Sequence, residues 1–150
     1  SIMDNLKTAK PDADDGAVNA AINTVGLRRY ISETKDGFDA IIEKSGGDLA
    51  LGIRRRLALA RALITNGNLI VLDEPTGGLD AEGCQAVYQV MNQLSTQGKT
   101  IIACSHDPKI VNVAKFVLDL NHKPVPILVN RTAQEEGQQS VAPATGAVVV

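Results

Sequence analysis

Tryptophan is absent from the 150 residues, and only two tyrosines and two phenylalanines occur. Proteins that grip single-stranded nucleic acid stack bases on aromatic side chains beside a basic groove. The run Arg54-Arg55-Arg56 has no aromatic residues beside it, and a formal net charge of −2 offers no bulk attraction to a polyanion. No nucleic-acid partner is expected, and the run reads as a solvated or interface-facing helix surface. Cysteine is equally scarce. Cys84 and Cys104 show neither a disulfide framework nor a zinc spacing, which makes a reducing compartment the default and the thiols small hydrophobes. His106 and His122 complete no metal set with them, and His122, in the turn "NHKP", has no expected role. No apolar run reaches the length of a membrane span, and no signal-peptide pattern stands at Ser1. Any link to a membrane is expected through a partner or through sequence beyond these residues. The opening "SIMDNL" reads as mid-domain sequence, so a piece of a larger domain is expected. Missing too is any GxxxxGK[ST], the loop that cradles nucleotide phosphates.

What is present has the rhythm of an α/β chain. Residues 1–15 read as a short helix and a loop. From Asp15, Val18, Ala21, Ile22 and Val25 fall on one helical face that closes at Gly26. A second short helical piece holds Leu27, Tyr30 and Ile31, and "KDGFDAIIEKSGG" is turn-rich. Ile53, Leu57, Ala60 and Ile64 mark a further helix. The continuous apolar run in "NLIVLDEP" predicts a strand buried on both faces. Asp80 can cap the next helix, whose stripe is Val87, Val90, Met91 and Leu94 and whose end is Gly98. "KTIIACS" predicts a second buried strand, "DPKIVNVA" a short helix, "KFVLDL" a third strand and "ILVN" a possible fourth. Alternating strands and helices imply parallel pairing with crossovers. From Arg131 to Val150, Gln, Glu, Gly, Ala and Pro predict a disordered tail. The expected division is 1–52, 53–130 and 131–150.

Ligands of a parallel α/β sheet gather beyond the carboxyl ends of its strands. Asp73-Glu74 directly follows the first strand and Ser105-His106-Asp107 the second. Adjacent carboxylates at a rigid strand end can divide two tasks, one holding Mg²⁺ and the other orienting or deprotonating a water. If the strands are neighbours, His106 comes close to Glu74.

"LIVLDEPTGGLD", with His106 after the next strand, resembles the Walker B, D-loop and H-switch of ABC-type ATPases. "RRRLALARALI" is similar to the helix that follows their signature, and residues 1–42 to the helical subdomain of ABC exporters. The resemblance covers about residues 1–120. It implies part of a P-loop NTPase core with an attached helical subdomain, ATP and Mg²⁺ as ligands, and transport-coupled ATP hydrolysis by the full-length protein. It also implies a second nucleotide-binding domain and a transmembrane transporter domain as partners, at the cytoplasmic side of a membrane. Asp73 would hold Mg²⁺ through water, Glu74 would be the catalytic base, His106 would contact the γ-phosphate, and Asp80 would reach across the dimer interface. Without a P-loop, these residues alone are not expected to hydrolyse ATP, and apolar sheet surface is expected where the rest of the domain would pack. Soluble relatives acting in translation or DNA repair, and degenerate regulatory subunits, are the alternatives.

The family's signature, Leu-Ser-Gly-Gly-Gln, has two candidate positions. Ser45-Gly46-Gly47-Asp48 looks similar but sits four residues too early relative to "RRRLALARAL". The gap-free alignment of "DGFDAIIEKSGGDLALGIRRRLALARAL" instead places the signature on Leu49, Ala50, Leu51, Gly52 and Ile53. Ala50 then lacks the serine hydroxyl, Leu51 crowds a position where glycine lets backbone approach phosphate, and Ile53 removes an amide. A signature that supports the partner's nucleotide poorly is expected, beside an intact Asp73, Glu74 and His106.

Overall fold

A computed structural model describes residues 1–43, 46–131 and 147–149. Contacts divide the chain into two compact units: residues 1–67 with 78–90, and residues 68–77 with 91–150. The helix over Leu51–Ile64 falls in the first unit, where it packs with the N-terminal helices.

That first unit is helical. Helix α1 (Ile2–Lys7) starts with a capping box, the Ser1 hydroxyl accepting from the Asp4 amide and the Asp4 side chain reaching back. Helix α2 (Asp15–Thr24) is capped by Asp14, whose Oδ1 accepts from Ala17 N at 2.7 Å. It ends at Gly26, in the left-handed region at φ +68°, with Leu27 N returning to Ile22 O. Helix α3 (Arg28–Glu33) and a 3-10 turn at Gly37–Asp39 follow, and Ile2 N donates to Ala40 O to close the layer. Helix α4 (Leu51–Ile64) packs on α1 and α2 through Leu57, Ala60 and Ile64. Ile2, Leu6 and Leu27 are fully or almost fully buried, and so are Val18, Ala21, Ile22 and Val25, the periodicity expected for α2. Ile22→Ala is expected to cost about 2–5 kcal/mol. The check is a lower urea midpoint at unchanged slope in the full-length protein.

The second unit is built on a sheet. Strand β1 (Leu69–Asp73) leads into helix α5 (Ala81–Thr96), which starts in the first unit, and then into strand β2 (Thr100–Ser105). Helix α6 (Pro108–Val113), capped by Asp107 and with Pro108 in its first turn, leads to β3 (Phe116–Asp119) and β4 (Ile127–Asn130). Strand β5 (Ala147–Val149) completes a sheet of order β1-β2-β5-β3-β4. Among the described residues only β1 and β2 pair in parallel, Leu69 opposite Thr100 through Asp73 opposite Cys104. β5 runs antiparallel to both β2 and β3, and β4 antiparallel to β3.

Two expectations change here. β1 is not buried on both faces: Leu69 is 57% and Val71 67% exposed, because the sheet face they share is open to solvent. Their exposure continues across the sheet at Leu128 of β4, while Ala103, Ser105 and Val117 are buried. The stretch 131–150, read from composition as disordered, contributes β5 between β2 and β3; residues 132–146 and 150 lie outside the described residues.

Candidate functional site

The parallel register of β1 and β2 sets the polar ends of both strands side by side. Asp73, the exposed last residue of β1, stands opposite Cys104. Glu74 extends the pairing by one step, its amide donating to Cys104 O at 2.9 Å. Its φ is +42°, a left-handed conformation that costs a side-chain-bearing residue energy and that clusters at functional sites. The chain then folds back tightly through Pro75 and Thr76, with Gly77 N donating to Glu74 O.

On β2, Ser105 is buried and its Oγ accepts from Asp107 N at 3.1 Å; Asp107 Oδ1 accepts in turn from Lys109 N at 2.9 Å. This pair of short bonds fixes the backbone on both sides of His106. His106 Nε2 lies 3.5 Å from Glu74 Oε1. That is longer than a good hydrogen bond, and both side chains reach solvent, at 63% and 41% exposure. The arrangement is an accessible acid–imidazole pair on rigid strand ends, with a second carboxylate one residue away. It can take a proton from a small molecule bound above it and hold that molecule's charge.

The first unit carries the other candidate residues. Ala50 is the N-cap of α4 and offers no side-chain bond; its carbonyl accepts from Ile53 N and Arg54 N. Leu51, Gly52 and Ile53 form the first helical turn, with Ala50 and Leu51 exposed and Leu49 just before them. Gly46 precedes in a separate turn at φ +64°, with Gly47 and Asp48 exposed; Ser45 lies outside the described residues. The helix entrance thus falls in the Leu49–Ile53 window, and Ser45–Asp48 precedes it.

Asp80 caps α5, its Oδ1 accepting from Gly83 N at 2.8 Å and its carbonyl from Cys84 N. Arg56 departs from the solvated face expected of the arginine run. It is half-buried, its Nε 3.3 Å from Gly52 O and its Nη1 3.4 Å from Gly26 O, bracing the start of α4 against the end of α2. Nothing in sequence spacing signals a bond to a carbonyl in a different helix turn. His122 is also engaged, its Nδ1 3.2 Å from Asp119 Oδ2. The Asn121 amide donating to Asp119 holds that carboxyl below the usual carboxylate range. Cys84 and Cys104 form no disulfide and are half-buried.

Comparison with known proteins identifies the family. The model of the ABC transporter family matches residues 2–77, just over half of the chain. The mitochondrial potassium channel ATP-binding subunit of Mus musculus is 33% identical over 118 residues, 79% of this chain and 16% of that protein. The alpha-hemolysin translocation ATP-binding protein HlyB of Escherichia coli is 34% identical over 118 residues, again 79% and 16%. The chain therefore spans about 16% of the length of these relatives. Among solved structures, a bacterial Atm1-family ABC exporter with ATP bound superposes with a TM-score of 0.71 at 24% identity, over 79% of this chain and 20% of that one, and so shares the fold. The chain belongs to the ABC transporter family, as part of an exporter-like nucleotide-binding domain.

Proposed function

We propose that this chain supplies the hydrolytic strand ends and a weakened signature to a nucleotide-binding domain that couples ATP hydrolysis to export through membrane-spanning subunits. The observation that carries the reading is the β1–β2 register, which brings Glu74 within 3.5 Å of His106 at the carboxyl ends of neighbouring parallel strands.

The donor set fits Mg²⁺. Among the described residues no group of three or more His, Cys, Asp or Glu side chains could enclose a metal. Mg²⁺ needs no such cage, since it keeps waters and takes one or two carboxylates plus substrate phosphates. Asp73, exposed at the strand end, is the carboxylate that would hold it. When bound, Mg²⁺ supplies neutralisation of charge on the β- and γ-phosphates.

Glu74 takes the proton of the attacking water as the new P–O bond forms and the bond to the ADP oxygen breaks. His106, 3.5 Å from that carboxylate, donates toward the γ-phosphate and keeps Glu74 aimed. The cradle for the α- and β-phosphates, a GxxxxGK[ST] loop, is not in these 150 residues. The isolated chain is accordingly inactive, and the full-length protein in its dimer is the enzyme. The α4 entrance at Ala50 favours the Leu49–Ile53 alignment, in which a partner's γ-phosphate meets no hydroxyl. Asp80, besides capping α5, would face the dimer partner. No helix among the described residues is long and apolar enough to cross a membrane. Membrane attachment on the cytoplasmic side would run through the transporter domain.

His106→Ala in the full-length protein is expected to lower ATP turnover by about 10²-fold, the effect of losing one aimed donor at a developing charge. Its thermal midpoint should not move, because the side chain is 63% exposed. Phosphate release from protein reconstituted in lipid vesicles is the measurement. Turnover within twofold of the parent would remove His106 from the reaction.

A further inference from the structure

The sequence pairs Leu51-Gly52 at the start of α4 with Gly78-Leu79 in the loop before α5. The two dipeptides interlock, each leucine lying on the other's glycine. A Cβ added to Gly78 would lie 3.0 Å from Leu51 Cδ2, and one added to Gly52 would lie 3.8 Å from Leu79 Cδ2. Gly78 has φ +67°, a backbone that side chains rarely adopt, and a Cβ there would also press on the leucine above it. Leu79 is held from its far side as well, since a Cβ on Gly83 would sit 3.2 Å from Leu79 Cβ. The Leu79 carbonyl faces Cys84 Sγ at 3.8 Å, and the next residue is Asp80, the cap of α5.

We infer that Leu51 is a positioning residue: its side chain latches the Gly78–Asp80 loop to the entrance of α4. A glycine at position 51 could not make this contact, because it has no side chain to lay on Gly78. The position that the signature alignment marks as degenerate therefore has a structural occupation of its own. It fixes the loop carrying Asp80 to the helix end that would meet the partner's nucleotide. The latch stands on the packing alone; its meaning for the dimer rests on the proposed function above.

The test is hydrogen–deuterium exchange of the full-length protein without nucleotide, comparing Leu51→Ala, Leu51→Met and Leu79→Ala with the parent. The informative amides are Gly83 and Cys84, whose bonds both end on Asp80, with α2 as internal control. Leu51→Ala is expected to speed exchange at these two amides by about tenfold and leave α2 unchanged. Leu51→Met, which keeps a long apolar side chain, should stay within twofold of the parent. Leu79→Ala should reproduce the effect from the other side and also speed exchange in the first turn of α4. Unchanged exchange at Gly83 and Cys84 in Leu51→Ala, or an equal rise throughout α2, overturns the latch. No arm uses ATP, so the latch fails or stands independently of the ATPase reading, which is decided by Glu74.

Discussion

Glu74→Gln in the full-length protein is expected to cut ATP turnover by about 10²–10⁴-fold, the range for removing a general base. Glutamine keeps the volume and reach of the side chain but cannot take a proton. The fold should tolerate the change, because Glu74 is part-exposed and its backbone bonds with Cys104 and Gly77 do not depend on the carboxylate. Phosphate release at saturating ATP is the measurement, with the thermal midpoint as control. Turnover that survives the change would make this domain a nucleotide-binding regulator instead of a hydrolase. A companion variant separates backbone from chemistry. Glu74 sits at φ +42°, where an L-residue is strained by roughly 1–2 kcal/mol. Glu74→Gly relieves that strain at a smaller cost in chain entropy, so stability should rise by about 0.5–1 kcal/mol while turnover stays low. A single position at which stability and activity move in opposite directions marks strain retained for function.

The second large effect runs the other way. Ala50→Ser with Leu51→Gly should raise ATP turnover of the assembled full-length protein by tenfold or more. A hydrogen bond to a charged group contributes about 1.5–3 kcal/mol, and each 1.4 kcal/mol is a factor of ten. Ala50 is an exposed N-cap with no side-chain bond at the entrance of a 14-residue helix, so a serine there enters an open position. Most of the gain should come with Ala50→Ser alone, because Leu51→Gly also surrenders the contact with Gly78. Turnover that does not rise in either variant shows that the partner's phosphate is not met at Ala50, and the alignment falls. A rise confined to one of the two nucleotide sites of a mixed dimer would mark this chain as the source of the asymmetry.

Much of this is legible in the sequence alone. The α2 stripe, the stop of β1 at Asp73-Glu74-Pro75, the Asp80 cap and the Pro108 helix start all follow from local chemistry, and the structure reproduces each. The helix entrance at Ala50 was reachable by counting back from Arg54. Four features were not legible, for different physical reasons. The exposure of Leu69 and Val71 depends on which elements flank β1, and a continuous apolar run says only that neighbours would be favourable. The Arg56 bond to Gly26 joins residues thirty apart, so charge patterning along α4 could not reveal it. The strand at Ala147–Val149 follows a compositionally polar stretch, and three apolar residues carry too little pattern to assign. Glu74's left-handed backbone is a fourth case. Asparagine or glycine would have advertised it, whereas glutamate carries no such signal.

The seat of β5 between β2 and β3 bears on how the protein is made. The helical unit's α1–α4 layer joins residues close in sequence, so it can assemble while synthesis is still under way. The sheet cannot be finished in the same order. β2 and β3 are both held by pairings that reach residues 147–149, so each presents an open edge until Val149 has left the ribosome. For that interval the half-built sheet, with Leu69 and Val71 already on its outer strand, is the species that chaperones would have to shield.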